Sequence, residues 1–348
     1  MKTLIYILFF INCIVAQCAF AIPLNEIKII AIHGLQSEHI TSKPTPEELV
    51  SDTAHYWQSY WAEQADDFIN WSSSERLQSG VITGYIWPEL QRISQQGTCE
   101  VGCIFVTHST GDLVARLILE HQELWLSAVG YKPLNILATF DFSGAGGGTE
   151  LADIVISSAY GDGNAFYDFI IEEWLGEAPG PDNIGIINDI SPSKARNYLR
   201  YPYNRIPRLR IIGGGSDFAN LTSGLLPGND DGVVALHSAC GSVSVSAYDS
   251  CSPDIDIDGE YSVGHSYVRE FLPNHYPLIM ADGYSHEELV EADIPTTDEY
   301  TAMSITIPDD EKTLTITTED VNWMGNTYRY VVGYESKTPS QLIGGIFR

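Results

Sequence analysis

Ser109 lies in the pentapeptide T-H-S-T-G, at 107–111, between a short apolar segment and a strongly helical one. A sharp turn from strand to helix lifts such a hydroxyl above the sheet and directs the first amides of the helix at the carbonyl that the serine would attack. Gly111 suits the crowded position two residues later, whereas Thr107 stands where this motif usually has glycine. The spacing predicts a nucleophilic serine; the alternative is an ordinary strand-to-helix corner with a capping serine.

The loop after the first apolar segment, 24–32, begins with His33 and Gly34. Where a serine occupies a strand-to-helix turn, an early loop of this kind supplies a second backbone donor to the oxyanion. We therefore expect the amides of Leu35 and Thr110 to form the oxyanion hole. The His33 side chain is interpreted as a satisfied histidine at a strand end, because only the backbone is needed there.

The acid and the base are expected to follow Ser109 in the order carboxylate, then histidine. Asp231 is the preferred acid, because the turn N-D-D-G leads into an apolar run that would hold the carboxylate at a fixed depth. His286 is the preferred base, because it follows an apolar strand candidate and lies in a loop. The alternatives are Asp230 and Asp217 for the acid, and His265, His275 and His237 for the base.

Apolar segments alternate with helical ones through most of the chain, which predicts βαβ units and a parallel sheet. Strands are predicted at 24–32, 81–87, 102–106, 135–142, 208–212 and 276–280, a helical aromatic stripe at 47–69, and a helix at 112–121 with an Asp112–Arg116 pair. Several strands open into glycine-rich turns, and this is the edge at which such sheets place active sites.

The sequence is predicted to divide into three segments. Residues 1–21 are typical of a signal peptide, with Lys2 before an apolar run and an A-x-A cleavage site ending at Ala21. Residues 22–295 form the main domain, with a cap or lid candidate at 155–200 that contains an amphipathic helix at 164–175; the alternative is a permanently packed helix. Residues 296–348 are predicted to form a small β-rich C-terminal extension.

The composition and net charge of the chain limit the classes of molecule that it can bind. The chain of 348 residues has 18 Lys plus Arg against 46 Asp plus Glu, a formal net charge of −28. Nucleic acids and anionic lipid headgroups are excluded, because both need clustered cations. A neutral ester or lipid substrate remains, with transient contact to a lipid surface through the lid, and no protein partner is predicted. No apolar run after the signal peptide is long enough to span a bilayer, so a secreted protein is expected.

Four cysteines remain after the signal peptide, and an even number in an exported chain predicts disulfides. Local pairs are preferred, Cys99 with Cys103 and Cys240 with Cys251. No cofactor is needed for serine chemistry. Asp254, Asp256 and Asp258 form the opening of a calcium loop, but His265 stands where the loop usually ends in glutamate, so a structural calcium competes with an exposed acidic turn.

Four stretches together resemble the bacterial secreted lipase and esterase group of α/β-hydrolases: IHGL at 32–35, THSTG at 107–111, GGGTELAD at 146–153 and NDDGVV at 229–234. The resemblance covers about residues 25 to 290. It implies an α/β-hydrolase fold, with a mostly parallel central sheet flanked by helices. The family's nucleophile, oxyanion residues and acid fall on Ser109, Leu35 with Thr110, and Asp231, and its base falls on His286.

The resemblance and the residues together favour a secreted serine hydrolase that cleaves carboxylic esters, in particular lipid esters of the triacylglycerol type, through an acyl-enzyme. Two alternatives stay open. An acyltransferase or thioesterase would use the same chemistry on another acceptor or leaving group. A non-catalytic lipid-binding protein would retain the scaffold without turnover.

Overall fold

A computed structural model describes residues 26–57, 60–198, 206–215, 221–242, 275–281, 283–291, 300–301, 305–306, 313–314, 318–323, 326–331 and 337–345. The predicted signal peptide, 1–21, and the predicted calcium ligands Asp254, Asp256 and Asp258 lie outside these residues. So do the alternative site residues Asp217 and His265.

A seven-stranded sheet is the centre of the described fold, in the order β2-β1-β3-β4-β5-β6-β7. All neighbouring strands pair in parallel except β7, which runs antiparallel to β6 at one edge. The strands are β1 Lys28–Ile32, β2 Asp67–Ile69, β3 Cys103–His108, β4 Ile136–Phe142, β5 Arg208–Gly213, β6 His275–Ala281 and β7 Tyr300–Thr301. The predicted parallel sheet is confirmed.

Helices connect the strands and cover the sheet. They are α1 Pro46–Tyr56, α2 Trp61–Gln64, α3 Trp87–Gln96, α4 Gly111–Ala128, α5 Glu150–Ala159, α6 Ala165–Leu175, α7 Pro192–Tyr198, α8 Leu236–Ala239 and α9 Pro339–Gly344. Among the described residues, no helix is both long and apolar enough to cross a membrane.

Both faces of the sheet are buried, as expected when parallel strands lie between helices. In β1, Ile30 and Ile32 pack on one face in a core cluster with α3 and α4, while Ile29 and Ala31 pack on the other with Trp61 of α2. Burial of each large apolar side chain stabilises the fold by about 1.5–3 kcal/mol. The two cores hold the strand ends in fixed positions, and the site is built on those ends.

The predicted strand at 81–87 is wrong. These residues continue a π-helical segment, Leu77–Ile86, which leads directly into α3. The buried residues of the segment are Leu77, Val81, Ile82 and Ile86. They recur at four- or five-residue intervals instead of alternating, so one helical side faces the core.

The helical stripe predicted at 47–69 is also shorter than expected. Helix α1 ends at Tyr56, and β2 pairs with β1 by residue 67. Asp66 explains the change, because its amide donates to the carbonyl of Ile29 at 2.8 Å and its carboxylate accepts from the Ile29 amide at 2.9 Å. These bonds fix the chain in an extended conformation beside β1.

The segment predicted as a β-rich extension, 296–348, supplies β7 to the main sheet and two antiparallel pairs, of β8 Ile305–Thr306 with β9 Thr313–Leu314 and of β10 Thr318–Trp323 with β11 Asn326–Val331. Helix α9 then returns to the sheet. The Trp61 indole donates to Ser340 Oγ at 3.0 Å, and Ser340 Oγ donates to the Leu289 carbonyl at 3.2 Å.

Of the predicted disulfides, Cys99–Cys103 is confirmed. It links the turn after α3 to the first residue of β3. Cys240 is also disulfide-bonded, and its predicted partner, Cys251, lies outside the described residues.

Candidate active site

Ser109 occupies the tight turn between β3 and α4. Its backbone has φ +54°, a left-handed conformation that non-glycine residues rarely adopt and that is characteristic of functional turns. The turn is locked on both sides, because the Ser109 amide donates to Phe142 O at 3.1 Å and the Ala145 amide donates to Ser109 O at 2.9 Å. Gly111 is required two residues later, since a Cβ there would collide with the carbonyl oxygens of Ile32 and His33.

Thr107, the departure from the usual motif, is accommodated by a hydrogen bond inside the sheet. Its hydroxyl donates to Asp141 Oδ1 at 2.6 Å, and Thr107 pairs in register with Asp141 of β4. Both residues are fully buried. A threonine at this corner therefore leaves no buried hydroxyl unpaired, and the turn retains its sharp geometry.

Asp231 and His286 are brought together from residues far apart in the chain. His286 Nδ1 lies 2.9 Å from Asp231 Oδ2, and the His286 amide donates to the Asp231 carbonyl at 2.8 Å. The Asp231 carboxylate also accepts from the amides of Val233 at 3.0 Å and Val234 at 2.7 Å, through Oδ1, and from the Ser143 hydroxyl through Oδ2. These donors fix the orientation of the buried carboxylate and leave neither of its oxygens without a hydrogen-bond partner.

Ser143 was not anticipated from the sequence. It directly follows β4 and has φ +42°, a second left-handed non-glycine residue in the same region. The signal was present in the glycine-rich turn that follows, S-G-A-G-G-G at 143–148. Its hydroxyl fixes the oxygen of Asp231 that faces His286.

The alternative acids and bases occupy other places. Asp230 accepts from the Gly232 amide at 2.8 Å and from Ser223 Oγ at 3.0 Å, and burial raises the pKa of its carboxyl. His237, on α8, lies between Glu150 Oε1 at 3.0 Å and Arg196 at 2.9 Å. His275 begins β6, at the end of the strand opposite the loop that carries His286.

The predicted oxyanion residues flank Ser109. Leu35 and Thr110 line the same cavity as the serine, and a Cβ at Gly34 would come within 2.7 Å of Ser109 Cβ. The absence of a side chain at Gly34 thus lets the loop after β1 approach the serine closely. Within the described part of the chain, neither the Leu35 amide nor the Thr110 amide has a protein acceptor.

His33 is held as a structural residue beneath this loop. Its Nδ1 donates to Gly34 O at 2.7 Å, the Trp71 amide donates to its Nε2 at 3.3 Å, and the two rings stack at 5.0 Å. Burial lowers the pKa of His33 to about 4, so the ring is neutral at physiological pH. It shapes the loop from which the Leu35 amide projects.

A cavity of about 680 Å³ opens over Ser109 and His286. Apolar side chains from several elements form part of its wall: Leu35, Ala145, Trp174, Ile190, Val233, Val234 and Val290. Glu287 and Glu291 line it beside His286. The cavity therefore has a mixed lining, in which apolar side chains alternate with polar and acidic ones.

Helix α6, the lid candidate, contributes Trp174 to the cavity wall. Its predicted apolar stripe is divided, because Ile170 is buried in the core whereas Phe166 is 52% exposed. Phe169 is exposed as well, at 46%. One side of the helix is thus packed and another presents two phenylalanines to solvent.

Among the described residues, one group brings three ligand-type side chains within 4.8 Å: Glu38, His39 and Asp52. His39 Nε2 is already hydrogen bonded to Asp52 Oδ2 at 2.9 Å. Their arrangement is that of a buried histidine paired with a partly exposed carboxylate.

A parallel sheet with a serine at the strand-to-helix turn after β3 is an α/β-hydrolase-like arrangement. No family model matches the sequence, and no curated protein matches it. Solved structures are similar at low identity. Bacillus licheniformis lipase BlEst2 in mature form is 15% identical over 61% of this chain and 78% of its own, with TM-score 0.39. Staphylococcus hyicus lipase is 11% identical over 77% and 90%, with TM-score 0.42, and EstA from Clostridium botulinum is 12% identical over 79% and 85%, with TM-score 0.39.

Proposed function

We propose that the protein is a serine hydrolase of carboxylic esters, with Ser109 as nucleophile, His286 as general base and Asp231 as the acid that orients it. The observation that carries the proposal is the hydrogen bond between His286 Nδ1 and the buried Asp231 carboxylate, because His286 lines the same cavity as a serine in a left-handed turn. An ordinary capping serine requires neither the strained turn nor a carboxylate-bound histidine beside it.

The proposed reaction follows from the proton positions. Asp231 keeps the proton of neutral His286 on Nδ1, so that Nε2 is the unprotonated nitrogen that takes the Ser109 proton as the hydroxyl attacks the ester carbonyl. The amides of Leu35 and Thr110 stabilise the oxyanion that forms. The protonated His286 then donates its proton to the departing alcohol, and water activated by the same nitrogen releases the acid from the acyl-enzyme. No cofactor takes part in these steps.

The substrate class follows from the cavity and the charge. Apolar side chains beside Ser109 provide a place for an acyl chain. The formal net charge of −28, with Glu287 and Glu291 at the cavity, disfavours an anionic substrate. We propose a neutral lipid ester, met outside the cell after export. The signal-peptide prediction and the Cys99–Cys103 disulfide support the export.

Hydrolysis of p-nitrophenyl esters with acyl chains of two to sixteen carbons tests the proposal. We expect turnover by the wild type and loss of at least about 10⁴ of it in Ser109→Ala, with an unchanged melting temperature. Ser127→Ala, an exposed serine at the other end of α4, is the matched control and should retain full activity. A Ser109→Ala variant as active as the control would overturn the proposal. Added glycerol separates acyl transfer from hydrolysis, because a transferase would form the glycerol ester.

A further inference from the structure

Two polar side chains that line the cavity have no part in the chemistry proposed above. Tyr56 is the last residue of α1, and His108 is the last residue of β3, directly before Ser109. The Tyr56 hydroxyl is hydrogen bonded to His108 Nδ1, and His108 Nε2 lies 2.9 Å from the carbonyl oxygen of His286. His108 is buried and Tyr56 is partly buried.

The direction of each hydrogen bond follows from its fixed members. The His286 carbonyl can only accept, so the proton of His108 is on Nε2. His108 Nδ1 is then an acceptor and takes the proton of the Tyr56 hydroxyl. Gly34 lies directly against the Tyr56 oxygen, since a Cβ at Gly34 would collide with it. Burial and the neighbouring His286 hold the pKa of His108 well below its ordinary value, which preserves this neutral form.

These two hydrogen bonds and the contact of Gly34 with Tyr56 join three separate parts of the site. Gly34 precedes Leu35, the proposed oxyanion residue; His108 precedes the proposed nucleophile; and His286 is the proposed base. Both backbone polar groups of His286 are hydrogen bonded: its amide donates to Asp231 O, and its carbonyl accepts from His108 Nε2. The rings of His108 and His286 are also in contact, with centroids 4.6 Å apart.

We propose that Tyr56 and His108 are positioning residues that fix the distance of the base and of the oxyanion loop from Ser109. The inference rests on the proposed function for its kinetic consequence. If His108 only fills space, a side chain of similar shape can replace it. If it positions His286, the replacement must also donate a hydrogen bond to the His286 carbonyl, as His108 Nε2 does. The two roles therefore separate when shape and hydrogen bonding are changed independently.

The test compares His108→Leu, which removes both hydrogen bonds, with His108→Gln, whose amide can still donate to the His286 carbonyl. For p-nitrophenyl butyrate we expect kcat to fall about 100-fold in His108→Leu, the cost of a displacement of about 1 Å, with KM unchanged. His108→Gln should recover most of this loss. Tyr56→Phe should fall between them, because it leaves His108 Nδ1 without its donor. His121→Leu, on α4 outside the cavity, is the control and should match the wild type.

Hydrogen exchange measured by mass spectrometry provides a readout that does not depend on turnover. We expect faster exchange in the peptide covering 283–291 in His108→Leu, and wild-type exchange in His108→Gln. Equal exchange in all variants, or an equal loss of kcat in His108→Leu and His108→Gln, would overturn the positioning role. A wild type that hydrolyses no ester while its exchange responds in this way would instead refute the proposed function alone.

Discussion

Asp231→Asn is the perturbation whose effect the geometry determines most closely. Oδ1 of Asp231 accepts two backbone amides, from Val233 at 3.0 Å and Val234 at 2.7 Å. In the variant, the amide oxygen must stay at that position, because an NH₂ group there would face two donors. The NH₂ group then occupies the place of Oδ2, where it meets His286 Nδ1 and Ser143.

A donor at the Oδ2 position reverses the tautomer of His286. Nδ1 becomes an acceptor, and the proton moves to Nε2, the nitrogen that has to receive the Ser109 proton. Because a histidine locked in the wrong tautomer lowers kcat by about 10⁴ in serine hydrolases, we expect a loss of that size, equivalent to about 5.5 kcal/mol of transition-state stabilisation. KM should change little, because Asp231 is not among the residues that line the cavity.

Asp230→Asn is the matched control, one residue away with the same change of charge. Its carboxylate bonds to Gly232 and Ser223, and His286 bonds to Asp231 instead. Steady-state hydrolysis of p-nitrophenyl butyrate at pH 8, with melting temperatures for both variants, gives the comparison. We expect Asp230→Asn to stay within about threefold of the wild type. The reasoning is refuted if Asp230→Asn is the inactive enzyme, or if Asp231→Asn retains more than a tenth of kcat.

Three further outcomes are expected. Gly111→Ala should lower the free energy of unfolding by about 1–3 kcal/mol in urea titrations and abolish activity, because the new Cβ would collide with backbone atoms. Gly84→Ala is the control and should be neutral or stabilising, because the space around Gly84 is open. Equal stabilities of the two variants would contradict this reasoning. The free energy of unfolding should be highest above about pH 6.5 and should fall as the pH is lowered towards 4, because His33 binds a proton in the unfolded chain but stays neutral when it is buried in the fold. A pKa of about 4 for His33 corresponds to a loss of about 3 kcal/mol from this residue. Urea midpoints that are constant over this range would show that the ring is ionised in the folded protein. If α6 contacts lipid, replacing the exposed Phe166 and Phe169 by serine should lower the rate on emulsified tributyrin and leave hydrolysis of dissolved p-nitrophenyl butyrate unchanged. A variant that matches the wild type on both substrates would contradict the lid hypothesis.

The local part of this fold was readable from the sequence. β3 and α4 carry strong patterns on either side of T-H-S-T-G, and the glycine at 111 is explained by the backbone that crosses above it. Four strand predictions, at 102–106, 135–142, 208–212 and 276–280, agree with β3 to β6. Periodicity and turn residues suffice where each element is long and follows its own pattern.

What the sequence left open depends on contacts between distant residues. The segment 81–87 has the composition of a strand, and only its packing against α3 and the core selects a helix. Tyr56 read as one of several aromatic residues in a stripe, yet its hydroxyl reaches His108, 52 residues later, and His108 reaches His286, 178 residues later. No local pattern specifies such partners, because the register of the whole sheet brings them together.

Labelling with a fluorophosphonate tests the central claim most directly. The reagent phosphonylates a serine that a neighbouring base has activated, and mass spectrometry of the digested protein locates the adduct. We expect one adduct per chain, on Ser109, lost on heat denaturation and strongly reduced in Asp231→Asn. Folded wild-type protein that takes up no label in the presence or absence of detergent, or that is labelled on another serine, would contradict the account.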